Sequence, residues 1–312
     1  MTAAQAAPHA SRIAPPRPGV CDVWLVEVRP RPRWECLLSD AERERLAALG
    51  ASPAAAVFLT SRGAQRLVAA RYLDAAPGEL AVDRSCAHCG DPRHGRPRIP
   101  GAPVDYSVSH TARWLLMAVV AANTGPAPDT RPTAKTPPAP DTGRTPQTRP
   151  SADAPPAPGA ARGRDAAACD TAGSPDTAPG PRARPHPRAA ASRAGLIGAD
   201  IDALAPGQDA DGLAAAALTP AEHAAYLKLP AHARRAAFLA AWVRKEAAMK
   251  LAALGLAAPP PRIDVSGHRA AAPGVPGWPA ESPYLTSLPA PAGHAVALAS
   301  AAPLAAVRRR AL

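Results

Sequence analysis

Short apolar strand-like runs and longer helical stripes occur twice along this chain, with a stretch of neither in between. Val23-Trp24-Leu25-Val26-Glu27-Val28, Leu115–Ala121, Leu196–Asp202 and His294–Ala299 are strand candidates. The spacing predicts helices over Asp40–Leu49, Arg62–Leu73, Pro220–Leu227 and His232–Leu254. Gly255 is the expected stop of the last helix, and Pro259-Pro260-Pro261 bars its continuation.

The two patterned regions echo each other. Leu38-Ser39-Asp40-Ala41-Glu42 returns 180 positions later as Leu218-Thr219-Pro220-Ala221-Glu222. In both, a hydroxyl N-cap is answered by Glu three residues on, which is the capping-box pattern, and the second adds Pro at the first helical position. The same offset pairs the helix around Arg62–Leu73 with that around Trp242–Leu254, and Trp114–Val119 with His294–Ala299. Three correspondences at one offset point to two copies of a helix-and-strand unit. The expected class is therefore α+β with two similar halves.

Asn123 to Ala194 interrupts them. This segment is dominated by Pro, Ala, Thr, Asp and Arg and has no hydrophobic period, so it cannot bury enough apolar surface to offset its ordering entropy. The expected organisation is a disordered tail over 1–19, an N-terminal lobe over 20–122, a disordered insertion over 123–194 and a C-terminal lobe over 195–312. A long flexible insertion is tolerated because loop-closure cost grows only logarithmically with length.

Composition adds a net charge of +11, which permits an acidic partner. No apolar stretch reaches the roughly 20 residues that span a bilayer. Met1 to Gly19 lacks the apolar core of a secretory signal, and five scattered cysteines make no disulfide framework. A cytoplasmic location with no membrane partner is the resulting expectation.

The candidate chemistry lies in Gly198-Ala199-Asp200-Ile201-Asp202 and the run from Trp242 to Lys250. Asp200 and Asp202 share one face of a strand, because strand side chains alternate. Trp242, Glu246 and Lys250 follow at four-residue spacing on one helical stripe. Should the strand and helix face each other, three carboxylates meet with a lysine behind them. Such a cluster repels itself unless a cation compensates it, and oxygen ligands suit Mg²⁺.

These residues resemble the 4′-phosphopantetheinyl transferase superfamily, in particular its two-lobed, Sfp-like branch. Gly198 to Asp202 fits the family's Gly-x-Asp-x-Glu/Asp strand, and Trp242 to Lys250 its Trp-x-x-Lys-Glu-x-x-x-Lys helix. Ser107-Val108-Ser109-His110-Thr111 is similar to its Ser-His-Ser/Thr segment, and Gly95-Arg96-Pro97 stands where it has Gly-Lys-Pro. The resemblance covers roughly 20–121 and 195–300. It implies a pseudo-twofold pair of lobes, each with a small, mostly antiparallel sheet, and an active site in the cleft between them. The implied protein is a monomer, since one chain supplies both walls.

The implied reaction is Mg²⁺-dependent transfer of 4′-phosphopantetheine from coenzyme A to a serine of an apo acyl- or peptidyl-carrier protein, as in holo-[acyl-carrier-protein] synthases. Fatty-acid, polyketide and non-ribosomal peptide synthesis all remain open as its setting. By resemblance, Asp200, Asp202 and Glu246 are the metal ligands, and Glu246 and Lys250 the catalytic residues. Arg62, Arg96, Pro97, Ser109, His110 and Thr111, with Asp200, Glu246 and Lys250, bind coenzyme A. Asp202 departs from the commoner Glu and is one methylene shorter. Lys245 is a lesser phosphate candidate, because it faces away from the Trp242 stripe.

The residues admit three other readings. Cys86-Ala87-His88-Cys89 with His94 offers three zinc ligands where a closed site needs four, so it reads as a Gly/Pro-rich loop. A basic nucleic-acid-interacting protein would bind through 123–194, but Lys and Arg there are interspersed with Asp, and no aromatic stacking platform accompanies them. No nucleic-acid partner is expected. The third, within the family resemblance, is a degenerate homologue that binds coenzyme A without turnover.

Overall fold

A computed structural model describes residues 12–86, 90–91, 95–122 and 196–312. The expected insertion over 123–194 lies outside the described residues, as does the expected tail up to residue 11. Strands are β1 Val20–Glu27, β2 Val104–His110, β3 Trp114–Ala121, β4 Ile197–Asp202, β5 Tyr284–Leu288, β6 Ala295–Ser300 and β7 Ala306–Arg310. Helices are α1 Asp40–Leu49, α2 Pro53–Ala70, α3 Ala210–Ala217, α4 Pro220–Leu227 and α5 Ala231–Ala252. This is the expected mixed α+β fold with two small sheets.

The strands form two sheets, ordered β2-β3-β1-β7 and β4-β6-β5. Connectivity repeats between the halves. In each, the third strand lies between the other two and pairs antiparallel with both: β3 with β1 and β2, β6 with β4 and β5. Both capping boxes form, Ser39 with Glu42 and Thr219 with Glu222. An isolated bridge recurs too, Asp83 with Arg98 and Asp264 with Ala271. The last strand, β7, breaks the repeat by pairing parallel with β1, so the chain's end completes the first sheet.

Alternation along the strands distributes three cores. Cys21, Val23, Leu116 and Ala118 meet Ile197, Ala199, Ile201, Val296 and Leu298 between the two sheets. The other face of the first sheet, with Trp24, Met117 and Val119, packs on Val68 of α2. Ala297 and Ala299, on the other face of the second, pack under Val243, Ala247, Ala248 and Leu251 of α5. Because Ile201 and Ala199 point to the sheet–sheet core, Gly198, Asp200 and Asp202 must face α5. A Cβ on Gly198 would lie 2.0 Å from the Ala247 carbonyl oxygen, so only glycine lets α5 come this close to β4.

Several boundaries differ from those expected. Helix α2 starts nine residues before Arg62, since Ser52 accepts from the Ala55 amide and Pro53 opens the helix, a cap-plus-proline start. Arg62 is thus a mid-helix residue. Helix α5 ends before Gly255: Ala253 takes the left-handed conformation (φ 55°), and the Ala253 and Leu254 amides turn back to Lys250 and Met249 carbonyls. Strands β2, β5 and β7 and helix α3 were not anticipated. Their segments are short, polar-alternating or alanine-rich, which hides their period.

Candidate active site

A cavity of about 840 Å³ is walled by β2, β4, α2, α5 and the segments around residues 84–86 and 95–98. That volume is in the range of roughly 300–1,000 Å³ usual for small-molecule sites. Arg62, Arg96, Pro97, Ser109, His110, Asp200, Asp202, Glu246 and Lys250 all line it. Thr111 does not appear in the lining. It holds the β2–β3 turn instead, its Oγ1 accepting from the Arg113 and Trp114 amides at 3.2 and 3.1 Å.

The strand–helix encounter anticipated from spacing is present. Lys250 Nζ donates to Asp200 Oδ1 at 2.5 Å and to Ser109 Oγ at 2.8 Å, and Ser109 Oγ donates to Asp200 Oδ1 at 2.6 Å. Strand β2, strand β4 and helix α5 therefore meet at one buried carboxylate. Asp202 accepts from the Ala203 amide (2.7 Å) and from Trp242 Nε1 (3.1 Å). Burial pushes the Asp202 carboxyl above its ordinary pKa, and the charge of Asp200 adds to this. Burial likewise raises Glu246; Lys250 opposes the shift, while Asp200 and Asp202 reinforce it. Among the described residues, the Glu246 carboxylate has no hydrogen bond or ion pair.

An oxygen-only donor set in which the charge of Asp200 raises both Asp202 and Glu246 fits a hard divalent cation, and among the described residues Glu246 has no competing hydrogen-bond or ion-pair partner. Among the described residues, however, no three acidic, histidine or cysteine side chains are already grouped for an ion. Asp200 is drawn to Lys250 and Asp202 to Trp242. Cys86 lines the cavity, but Cys89 and His94, its candidate zinc partners, lie outside the described residues.

The same cavity carries basic side chains. Arg62 lies 3.5 Å from Glu42 and stacks on Phe58, and burial lowers its pKa. Burial lowers His110 as well, with Lys250 adding to it, so its imidazole favours the neutral form. Arg84 was missed. It donates to Gln65 Oε1 at 2.8 Å, and burial, with Arg62 nearby, brings it down to about 10. The signal for it is the recurrence of Asp83-Arg84-Ser85 as Asp264-Val265-Ser266: in both, the Asp side chain accepts from the Ser amide two residues on. Gly95 holds this part of the cavity wall together, since a Cβ there would fall 2.4 Å from the Arg84 carbonyl oxygen.

Two expected cations have other employment. Lys245 is wholly buried, donating to Glu222 at 2.6 Å and to the Pro260 and Ile263 carbonyls. It therefore braces the second half, which corrects its candidacy as a phosphate contact. Arg96 forks onto Asp105, both bonds at 2.7 Å, and reaches the Ile197 carbonyl at 2.9 Å.

A family model described as the 4′-phosphopantetheinyl transferase superfamily matches residues 196–299. The match begins just before β4 and ends in β6, so it takes in Asp200, Asp202, Glu246 and Lys250. It covers about a third of the 312 residues and does not reach the half bearing Arg62, Ser109 and His110. A comparison with curated proteins finds no match.

Proposed function

We propose that this chain transfers the 4′-phosphopantetheine group of coenzyme A to a serine hydroxyl of an apo acyl- or peptidyl-carrier protein and releases 3′,5′-ADP. It would belong to the two-lobed, Sfp-like branch, act as a monomer in the cytoplasm and be of the holo-[acyl-carrier-protein] synthase type. The observation that carries this is the meeting of Asp200, Glu246 and Lys250 with Ser109 and His110 around one cavity. The family match over the half that holds the acids supports it.

In this reaction the serine oxygen forms a bond to the β-phosphorus, and the bond from that phosphorus to the bridging oxygen breaks. Catalysis of this kind is mostly positioning and charge stabilisation. Asp200, Asp202 and Glu246 would hold Mg²⁺, which when bound supplies neutralising charge to the diphosphate. Glu246 takes the serine proton; a carboxyl raised by burial is the better base. Lys250 places a point charge near the departing phosphate. Arg62 and Arg84, with His110, receive the 3′-phosphate.

The direct test incubates the full chain with coenzyme A, MgCl₂ and a panel of apo carriers, read by intact mass. Phosphopantetheine addition to at least one carrier is expected. Glu246→Ala and Asp200→Ala should each lower the rate by 10²-fold or more with the circular dichroism spectrum unchanged. Folded protein that modifies no carrier would overturn the reading.

A further inference from the structure

Strands β2 and β4 belong to different sheets, so no backbone ladder sets their register. Polar side chains do so instead, at alternate positions of β2. Asp105 Oδ2 accepts from the Leu196 amide at 2.7 Å, Ser107 Oγ from the Ala199 amide at 3.0 Å, and Ser109 Oγ donates to Asp200 at 2.6 Å. Arg96 closes the upstream end, bidentate to Asp105 and bonded to the Ile197 carbonyl. Its side chain is only 10 % exposed and that of Asp105 17 %.

We infer that Arg96 and Asp105 are a latch between the two halves: positioning residues that hold β4 in register on β2 and thereby deliver Asp200 to Ser109 and Lys250, rather than phosphate ligands. Both terminal nitrogens of Arg96 are already spent on Asp105, one of them also on Ile197, in a fork geometry that a carboxylate matches well. A slip of one residue would carry Asp200 about 3.3 Å along the strand and turn it to the opposite face. Misplacement of about 1 Å already costs catalysis heavily. A lysine could supply the charge of Arg96 but not the two parallel bonds to Asp105 together with the third to Ile197.

The kinetic half of this inference rests on the transferase reading; the structural half does not. Arg96→Gln, Arg96→Lys, Asp105→Asn and the double variant Arg96→Gln/Asp105→Asn would be assayed with coenzyme A and with dephospho-coenzyme A, which lacks the 3′-phosphate. A latch predicts that every variant lowers kcat about tenfold, that the ratio of KM values for the two substrates stays at the wild-type level, and that the double variant is no worse than either single. Arg96→Lys should behave like Arg96→Gln. The inference is overturned if Arg96→Gln abolishes the preference for coenzyme A while Arg96→Lys and Asp105→Asn retain wild-type kinetics. Should the wild type turn over no carrier, the transferase reading fails by itself. Urea midpoints of the same variants then decide the latch: equal midpoints for the singles and the double support it, and additive losses overturn it.

Discussion

Ala253 shows how a single residue shapes the cavity wall. It is the only non-glycine residue with positive φ among the described residues, and it lines the cavity one turn beyond Lys250. A left-handed alanine costs about 1–2 kcal/mol, which glycine escapes, although glycine gives part of this back through a freer unfolded chain. Ala253→Gly should stabilise the protein by about 1 kcal/mol, seen as a higher urea midpoint. Gly198 is the opposite case. An added methyl would meet the Ala247 carbonyl oxygen at 2.0 Å, and backbone cannot turn aside. Gly198→Ala should therefore cost about 3 kcal/mol or more and prise the Asp200 carboxylate from Lys250, checked by denaturation and by coenzyme A calorimetry.

At the scale of elements, each half uses its capping-box glutamate twice. Glu42 caps α1 and also reaches α2, with Arg66 at 2.7 Å and Arg62 at 3.5 Å. Glu222 caps α4 and pairs with Lys245 of α5 at 2.6 Å. Burial would raise the Glu42 pKa, but the Ser39 amide, Arg66 and Arg62 together outweigh it and the net shift is downward. A lowered carboxyl adds stability above its unfolded pKa and loses it as pH falls through the lowered folded value. Glu42→Gln should thus destabilise by about 1–2 kcal/mol at pH 7. The gap between variant and wild type should close below the ordinary carboxyl range, as thermal melts across a pH series would read. Because Arg62 leans on Glu42, the same variant loosens the basic part of the cavity wall.

Across the whole molecule, polar contacts at two places reinforce the apolar core that joins the halves between the two sheets. One is the seam of β2 and β4, where the candidate site lies. The other is β7, whose Arg308 and Arg310 reach the fully buried Asp22 of β1 at 2.7 and 3.3 Å, beside Tyr72 OH at 2.9 Å. Breaking a buried pair costs about 3–5 kcal/mol, less where partners keep water, as these half-exposed arginines do. Asp22→Ala should lower stability by about 2–3 kcal/mol and free β7, raising amide hydrogen exchange over 306–310. Among the described residues no helix is long and apolar enough to cross a membrane.

From its sequence alone, the chain declared the α+β class, the repeated units and the acids and lysine of the strand–helix pair. These follow from local periodicity, capping chemistry and spacing, which neighbouring residues express by themselves. Asp200, Glu246 and Lys250 were legible for that reason, whereas Gly198 stood out only through the family resemblance of its motif. Tertiary structure alone decided where each cation is spent: Lys245 on Glu222, Arg96 on Asp105, Lys250 on Asp200, and Arg84 into the cavity wall. It also decided that β7 returns to the first sheet. A charged side chain takes the partner that burial brings within hydrogen-bonding reach, and that partner can lie a hundred or more positions away along the chain.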